Sequence, residues 1–453
     1  MIGVGASRGL AGALLGALAA GGLVLGLQRK VLIGYALVAL VPITSGLARG
    51  LPIPGLRFSE AFTVGAAVLV LGRTAGDRDR RWEAIDWAAA GFVGMHAVLG
   101  VFGSLVNASF TMRGVQLLVG PVQFFLLYRV VRATIETPRQ RVVALRLLLL
   151  SSIPVSLLAI AQYIGVPGVQ EFVEQITQSG VFDLWIWSQQ PRATGPFESW
   201  HPLAGYLFLL MVLAIAEIAD GDRDVMPMWA TTSLLGLMTL ALLVSQTLNV
   251  LAGLAIVAVM IAVMTRRVAQ VLVPLAAVAL VGAVIFGPVL LDRVASQEVD
   301  NPTSSGGVQT PQTIGYRFEV WTDQYIPAIV DHWMTGYGPE LPPSIEWRYT
   351  ESVYFTLLLR GGVALFGAYA VMMAVTWRDS WRRRNTTELP RRSVAMALVA
   401  GIVALVPMQT VFPYFTASGL PQVWWILAAL MAGSSSATVR ARSDARGLPS
   451  LGS

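Results

Sequence analysis

The sequence has no cysteine and only one lysine, Lys30, among 453 residues. Without thiols there is no disulfide, no thiolate metal site and no cysteine nucleophile, and cysteine usage leaves the redox compartment open. Charge is scarce as well. Asp, Glu, Lys and Arg make up 13% of the chain, about half of what a soluble protein carries. The three histidines, His96, His201 and His332, are too scattered for a metal-ligand pattern. No HExxH, P-loop or serine nucleophile elbow occurs. Such a composition excludes a soluble protein.

What is abundant is apolar. Hydrophobic residues make up 55% of the chain and the mean hydropathy is +0.64. They fall into blocks of about twenty, enough to cross a hydrocarbon core as helix. The blocks lie near 9–27, 31–48, 58–72, 84–106, 113–132, 142–163, 201–218, 228–245, 247–264, 270–291, 351–376, 393–412 and 421–433. Continuous runs rather than strict alternation predict an all-α polytopic membrane protein of about 12–13 transmembrane helices, not a barrel. Residues 1–27 have a basic flank but no polar cleavage context, so they are expected to form an uncleaved helix. The orientation of the N-terminus stays open. No internal repeat suggests a transporter built from duplicated halves.

The connections are of two chemical kinds. RTAGDRDRRWE (73–83), RATIETPRQR (132–141), TRR (265–267) and WRDSWRRRNTTELPRR (377–392) are dense in arginine. Segments 164–200 and 292–350 together hold only Arg192, Arg293, Arg317 and Arg348. Short cytoplasmic loops retain positive charge, and the two kinds alternate as the spans require from the third onward. This distribution, rather than nucleic-acid binding, explains the net charge of +6. The expected organisation is N-terminal helices (1–163), an extracytoplasmic loop (164–200), central helices (201–291), a large extracytoplasmic loop (292–350), C-terminal helices (351–436) and a disordered cytoplasmic tail (437–453).

Extracytoplasmic loops that long are usually functional or disordered. In VQEFVEQI the apolar residues stand at 169, 172, 173 and 176, which predicts a short helix lying on the membrane surface. Solvation accounts for most of the acids in 292–350, and for the Asp-x-Asp spacings at 77–79 and 220–224. Arginines placed here oppose the sidedness rule. Their planar fork suits phosphate oxygens; the alternative for each is an ion pair with a nearby carboxylate. Trp185, Trp187, Trp200, Trp321, Trp333 and Trp347 fit an interfacial belt, with Trp321 the candidate for a sugar platform.

Several motifs follow one another in order: RATGPF and HPLAGY within 192–206, SQTLNVLAGLAIV at 245–257, YRFEVW and GYGP within 316–339, and ESVY and LLRGG within 351–362. This set resembles the bacterial O-antigen ligase and O-antigen polymerase superfamily over roughly 190–370. The resemblance implies a GT-C-like glycosyltransferase of the bacterial cytoplasmic membrane with its active site on the extracytoplasmic face. It would pass a glycan from a polyprenyl-diphosphate-linked oligosaccharide to an acceptor glycan or lipid. Inversion is expected, with neither cofactor nor metal, and other polysaccharide-assembly proteins are candidate partners. The implied catalytic residues are Glu351, standing where the ligases carry histidine, with Arg317 and Arg192 on the diphosphate. Arg348, His201, His332, Trp321, Tyr354, Glu198 and Tyr337 are the implied substrate contacts. Glutamate in place of histidine favours a polymerase over a ligase acting on a lipid. The family's usual arginine near SQTLNV is replaced by Leu248 and Asn249.

A plainer account of Glu351 is that Thr350 caps the next helix and the acid sits in its first turn, worth about 0.3–1 kcal/mol. Arg360, nine residues further, falls on the opposite helix face and must pair, snorkel or meet water. Two rival functions remain. A lipid-linked glycan flippase would keep ionisable groups at the midplane. A polyprenyl-monophosphate transferase would use an acid in the first external loop, where Glu60 stands.

Overall fold

A computed structural model describes residues 29–51, 55–74, 82–107, 111–180, 192–221, 224–269, parts of 273–292, 312–342, 345, 350–386 and 390–432. The first expected span, most of 270–291 and the tail lie outside the described residues. The chain is an all-α polytopic membrane protein. Its helices are α1 Lys30–Thr44, α2 Phe58–Thr74, α3 Ala84–Val106, α4 Met112–Thr134, α5 Pro138–Leu150, α6 Ser152–Tyr163, α7 Val169–Thr177, α8 Trp200–Asp220, α9 Met228–Ser245 and α10 Leu248–Thr265. After these, α11 Gln312–Val320 runs through a π-helical turn, Trp321–Tyr325, into α12 Ile326–Asp331. The last three are α13 Val353–Arg383, α14 Arg391–Met408 and α15 Leu420–Ala432.

Among the described residues eight helices are long and apolar enough to cross a membrane: α3, α4, α5 joined to α6, α8, α9, α10, α13 and α14. Shorter apolar helices are α1 and α15. Central α8 has its whole apolar window buried, packed among α9, α10, α14 and α15. The short helix expected from VQEFVEQI forms as α7, with Val173 buried and Phe172 exposed. The Ala48 N–H donates to the Ile176 carbonyl at 2.9 Å, which ties α7 to the segment between α1 and α2.

The arginine-rich connections gather at one end of the bundle. Asp86, fully buried in the first turn of α3, accepts from Tyr128 Oη at 2.9 Å and Arg129 at 3.2 Å, and pairs with Arg132. Glu83 takes Arg132 at 2.8 Å and, from the far end of α13, Arg383 at 2.6 Å. Lys30 reaches Glu136 at 2.9 Å. These pairs join segments that the charge pattern alone had assigned to one side.

The opposite end depends on a break in α13. Gly362 has φ 59° and ψ −162°, a conformation costly for any residue with a side chain. The break frees carbonyls of the preceding turn, and the turn at 333–338 takes them up. Tyr337 N–H donates to Leu359 at 2.7 Å and Gly338 N–H to Arg360 at 3.0 Å, while Val363 N–H donates back to Trp333 at 2.8 Å. Backbone must come very close for this. A Cβ on Gly336 would lie 2.5 Å from Gly361 N, and one on Gly103 of α3 would lie 2.5 Å from Gly338 Cα. Asn107 Nδ2 donates to the Tyr337 carbonyl at 2.8 Å, closing the joint from α3.

The start of α13 corrects the plain account of Glu351. The helix begins at Val353, with Ser352 extended at the N-cap position, so Glu351 precedes the first turn. Thr350 bonds the Thr356 hydroxyl instead of capping. The reason lies in the residue that follows α14: the Gln409 carbonyl accepts from Val353 N–H at 3.0 Å and Ser352 Oγ at 3.2 Å, holding the entry extended.

Gly362→Ala would place a Cβ 2.3 Å from the Met334 carbonyl carbon at a positive φ. It should cost about 2–4 kcal/mol, read as a lowered thermal midpoint of the purified protein. Gly367→Ala, where nothing lies within 4 Å, should not lower it.

Candidate functional site

Two groups of polar residues lie at the end opposite the arginine-rich one. In the first, Arg317 on α11 donates from Nε to Glu351 Oε2 in a partly exposed ion pair. The α11–α12 arm is held in place by a small core of Val320, Tyr325, Tyr337, Ile345 and Leu359. Trp321 packs on Phe355 with ring centroids 5.1 Å apart, and Tyr325 on the same ring at 5.6 Å. The YRFEVW motif therefore does two things one turn apart: Arg317 meets the carboxylate and Trp321 seats the arm on α13. A π-helical turn follows directly, a feature frequent at functional sites. Beyond it the His332 and Tyr337 rings lie 4.2 Å apart. Burial and the charge of Asp331 push the Tyr337 phenol's pKa up.

The second group explains why the RATGPF and SQTLNV motifs occur together. Arg192, only 5% exposed, donates from Nε to the Ser245 carbonyl and from Nη2 to the Gln246 carbonyl, both at 3.0 Å. Its guanidinium lies over the Trp200 ring, 4.1 Å from the centroid. Carbonyls at a helix C-terminus lack partners within the helix, and Gln246 turns the chain at φ 51°. Arg192 thus caps α9. Nearby, His201 stacks on Phe412 at 4.2 Å and its Nδ1 lies 3.5 Å from Tyr414 Oη, which donates to Asn249 Oδ1 at 3.0 Å. Asn249, at a position where the resemblance implied an arginine, is engaged by Tyr414.

One segment joins the groups. Gln409 holds the entry to α13 beside Glu351, and three residues later Phe412 covers His201. Tyr354 turns elsewhere: its hydroxyl donates to the Val406 carbonyl at 2.6 Å, and its ring borders an apolar groove of about 520 Å³ between α13 and α14 with Phe366, Tyr369 and Met373. Glu198 pairs with Arg57 at 2.6 Å. Glu60, the acid of the rival transferase reading, is buried and paired with Arg49. Arg348, Arg293, Trp185, Trp187 and Trp347 lie outside the described residues. Among the described residues no group of three or more His, Asp or Glu stands ready to hold a metal.

Sequence reasoning counted arginines only in the two long loops. It passed over Arg49 and Arg57, which lie between α1 and α2, and Arg113 at the start of α4. Their signal was present: these are arginines at connections the alternation assigns to the arginine-poor side.

A family model described as O-antigen ligase matches residues 231–370, from within α9 to just past the break in α13. Over these residues the chain is similar to that family. None of the curated proteins compared with the chain matches it.

Arg192→Lys keeps the charge but loses the two directed N–H bonds. It should lower stability by about 1–3 kcal/mol, whereas Arg317→Lys, at a partly exposed pair, should change it by less than about 1 kcal/mol. Thermal unfolding followed by tryptophan fluorescence separates the two.

Proposed function

Taking the chain as a member of the O-antigen ligase and polymerase family, we propose that it transfers a glycan from a polyprenyl diphosphate to an acceptor glycan at the outer face of the cytoplasmic membrane. The observation that carries this reading is the Arg317–Glu351 pair, set within the matched segment at the end opposite the arginine-rich connections.

The chemistry needs an activated acceptor hydroxyl and a stabilised leaving group. Glu351 is the general base. Its Oε2 is oriented by Arg317, and its carboxylate takes the acceptor proton as the hydroxyl oxygen bonds to the anomeric carbon. The bond from that carbon to the diphosphate oxygen breaks, its electron pair leaves with the polyprenyl diphosphate, and the configuration inverts. Arg317 and Arg348 meet the charge that grows on the diphosphate. A diphosphate is already a good leaving group, so the reading calls for no metal. Arg192 acts as a positioning residue, holding the 245–247 turn that presents Asn249. His201, Glu198, His332, Tyr337 and Trp321 surround the sugar-binding region. The groove beside Tyr354 suits an isoprenoid chain, being apolar and set between two membrane-spanning helices.

The test uses the full chain in nanodiscs with a polyprenyl-diphosphate-linked oligosaccharide as sole substrate. A ladder of multiples is expected. Product only when a lipid acceptor is added would make it a ligase, and transbilayer movement without bond formation would make it a transporter. Glu351→Gln should cut turnover by about 10²-fold or more with the thermal midpoint unchanged; full activity in that variant would remove Glu351 as the base.

A further inference from the structure

The α11–α12 arm does not cross the membrane, yet it carries a row of large apolar side chains on its surface. Ile326 is 46% exposed, Val330 65%, Trp333 54% and Met334 57%. The small core that seats the arm takes Ala328 and Ile329 of α12 instead. Ile326 and Val330 are four residues apart and share a face of the helix. Asp331, about 100° further round, is exposed on another, as are Glu319 and Asp323 earlier in the arm. The arm thus has one side on the protein, one apolar side left open, and acids exposed elsewhere. An exposed apolar row of this kind calls for something to cover it.

Height along the bundle identifies the cover. The Trp333 carbonyl accepts from Val363 N–H at 2.8 Å, just past the break in α13. From Val363 to Arg383 that helix rises about 30 Å, and Arg383 is bonded to Glu83 at the arginine-rich end. A second ruler is α3. Its Gly103, packed against Gly338, stands about 25 Å above Asp86, which pairs with Arg132 at the arginine-rich end. Both rises are close to the thickness of a hydrocarbon core, about 30 Å. With the arginine-rich end at one boundary of that core, the 333–338 turn stands at the other. Neighbours at this height are apolar and exposed as well: Val363 on α13, and Phe102, Leu105 and Val106 at the end of α3. The apolar surface of the spanning helices is therefore matched at the same level by that of the arm.

We propose that Ile326, Val330, Trp333 and Met334 form a membrane-docking surface, with α12 lying in the lipid interface and the acids of the arm turned to water. An indole is at home at headgroup level, and helices with one apolar and one charged face bind lipid in this way. A helix as short as α12 cannot hold an interface alone. The hydrogen bonds from the 333–338 turn to α13 set its height, and lipid covers its open side. Arg317 belongs to the same arm, so this seating keeps the Arg317–Glu351 pair near the level of lipid phosphates. The docking stands independently of the chemistry assigned to that pair.

The chain has no cysteine, so single reporters can be placed without background. Ile326→Cys, Val330→Cys and Met334→Cys, with Glu319→Cys and Asp331→Cys as water-side controls, are labelled with a nitrobenzoxadiazole fluorophore in the full chain in phosphatidylcholine nanodiscs. Quenching by nitroxide-bearing lipids is compared with quenching by aqueous iodide. At 326, 330 and 334 the ratio of lipid to iodide quenching should exceed that at 319 and 331 at least threefold. A nitroxide near the headgroup should quench more than one near the chain end. Equal ratios at all five positions would mean that the row faces water, and protection from both quenchers would mean that protein covers it, a second copy included; either result overturns the proposal. Stronger quenching by the deep nitroxide would overturn the interfacial placement. All three reporter sites are exposed, and should one variant fail to fold the other two decide.

Discussion

A helix that breaks inside a membrane releases backbone groups with no water to receive them, and the arrangement of this protein's polar end follows from how α13 meets that demand. Its Gly361–Gly362 pair opens the helix, and the 333–338 turn donates backbone N–H groups to Leu359 and Arg360. The turn cannot shift without leaving those carbonyls unpaired. Because it is the C-terminal anchor of the α11–α12 arm, the arm is fixed too, and with it the position of Arg317 over Glu351. The glycines of GYGP and LLRGG are thus one device seen in two places. Gly336 and Gly362 let two backbones touch, and Gly103 lets a third approach.

The opposite end is held by charge. Asp86 is buried among Tyr128, Arg129 and Arg132, and Glu83 bridges Arg132 to Arg383. A buried carboxylate is tolerated only when it is this fully paired. The contrast between the ends is informative. The arginine-rich end meets its charges with local carboxylates and with carbonyls such as that of Met431, which takes Arg383 and Arg391. The other end pairs Arg49 with Glu60, Arg57 with Glu198 and Arg317 with Glu351.

Much of the architecture was legible because lipid makes simple demands: long apolar runs gave the described spans, a 3.6-residue period in VQEFVEQI gave α7, and arginine density picked out the connections that meet at one end of the bundle. The Arg317–Glu351 pairing was half legible. The motifs named both residues, but nothing in a linear pattern says that they meet across a separation of 34 positions. The start of α13 was misjudged because Gln409, from the far end of α14, decides where the helix begins. Tyr354, which the resemblance implied as a substrate contact, gives its hydroxyl to the Val406 carbonyl near the end of α14.

Arg192 and Arg317 show why residue type and sidedness alone cannot assign a role. Both are arginines at the same end, both lie in motifs of the resemblance, and both fit a guanidinium reading of phosphate. What separates them is what their neighbours lack. Around Arg192 the missing groups are backbone donors: the C-terminus of α9 has buried carbonyls without a partner in the helix, and the planar fork is taken up in satisfying Ser245 and Gln246 while Trp200 covers its face. Around Arg317 the partner is a carboxylate on a partly exposed surface, where an incoming group can compete. A cation committed to buried carbonyls builds the wall of a site, since releasing it would strand acceptors away from water. A cation sharing a partly solvated carboxylate can change partners at little cost, which is the property a leaving-group contact requires.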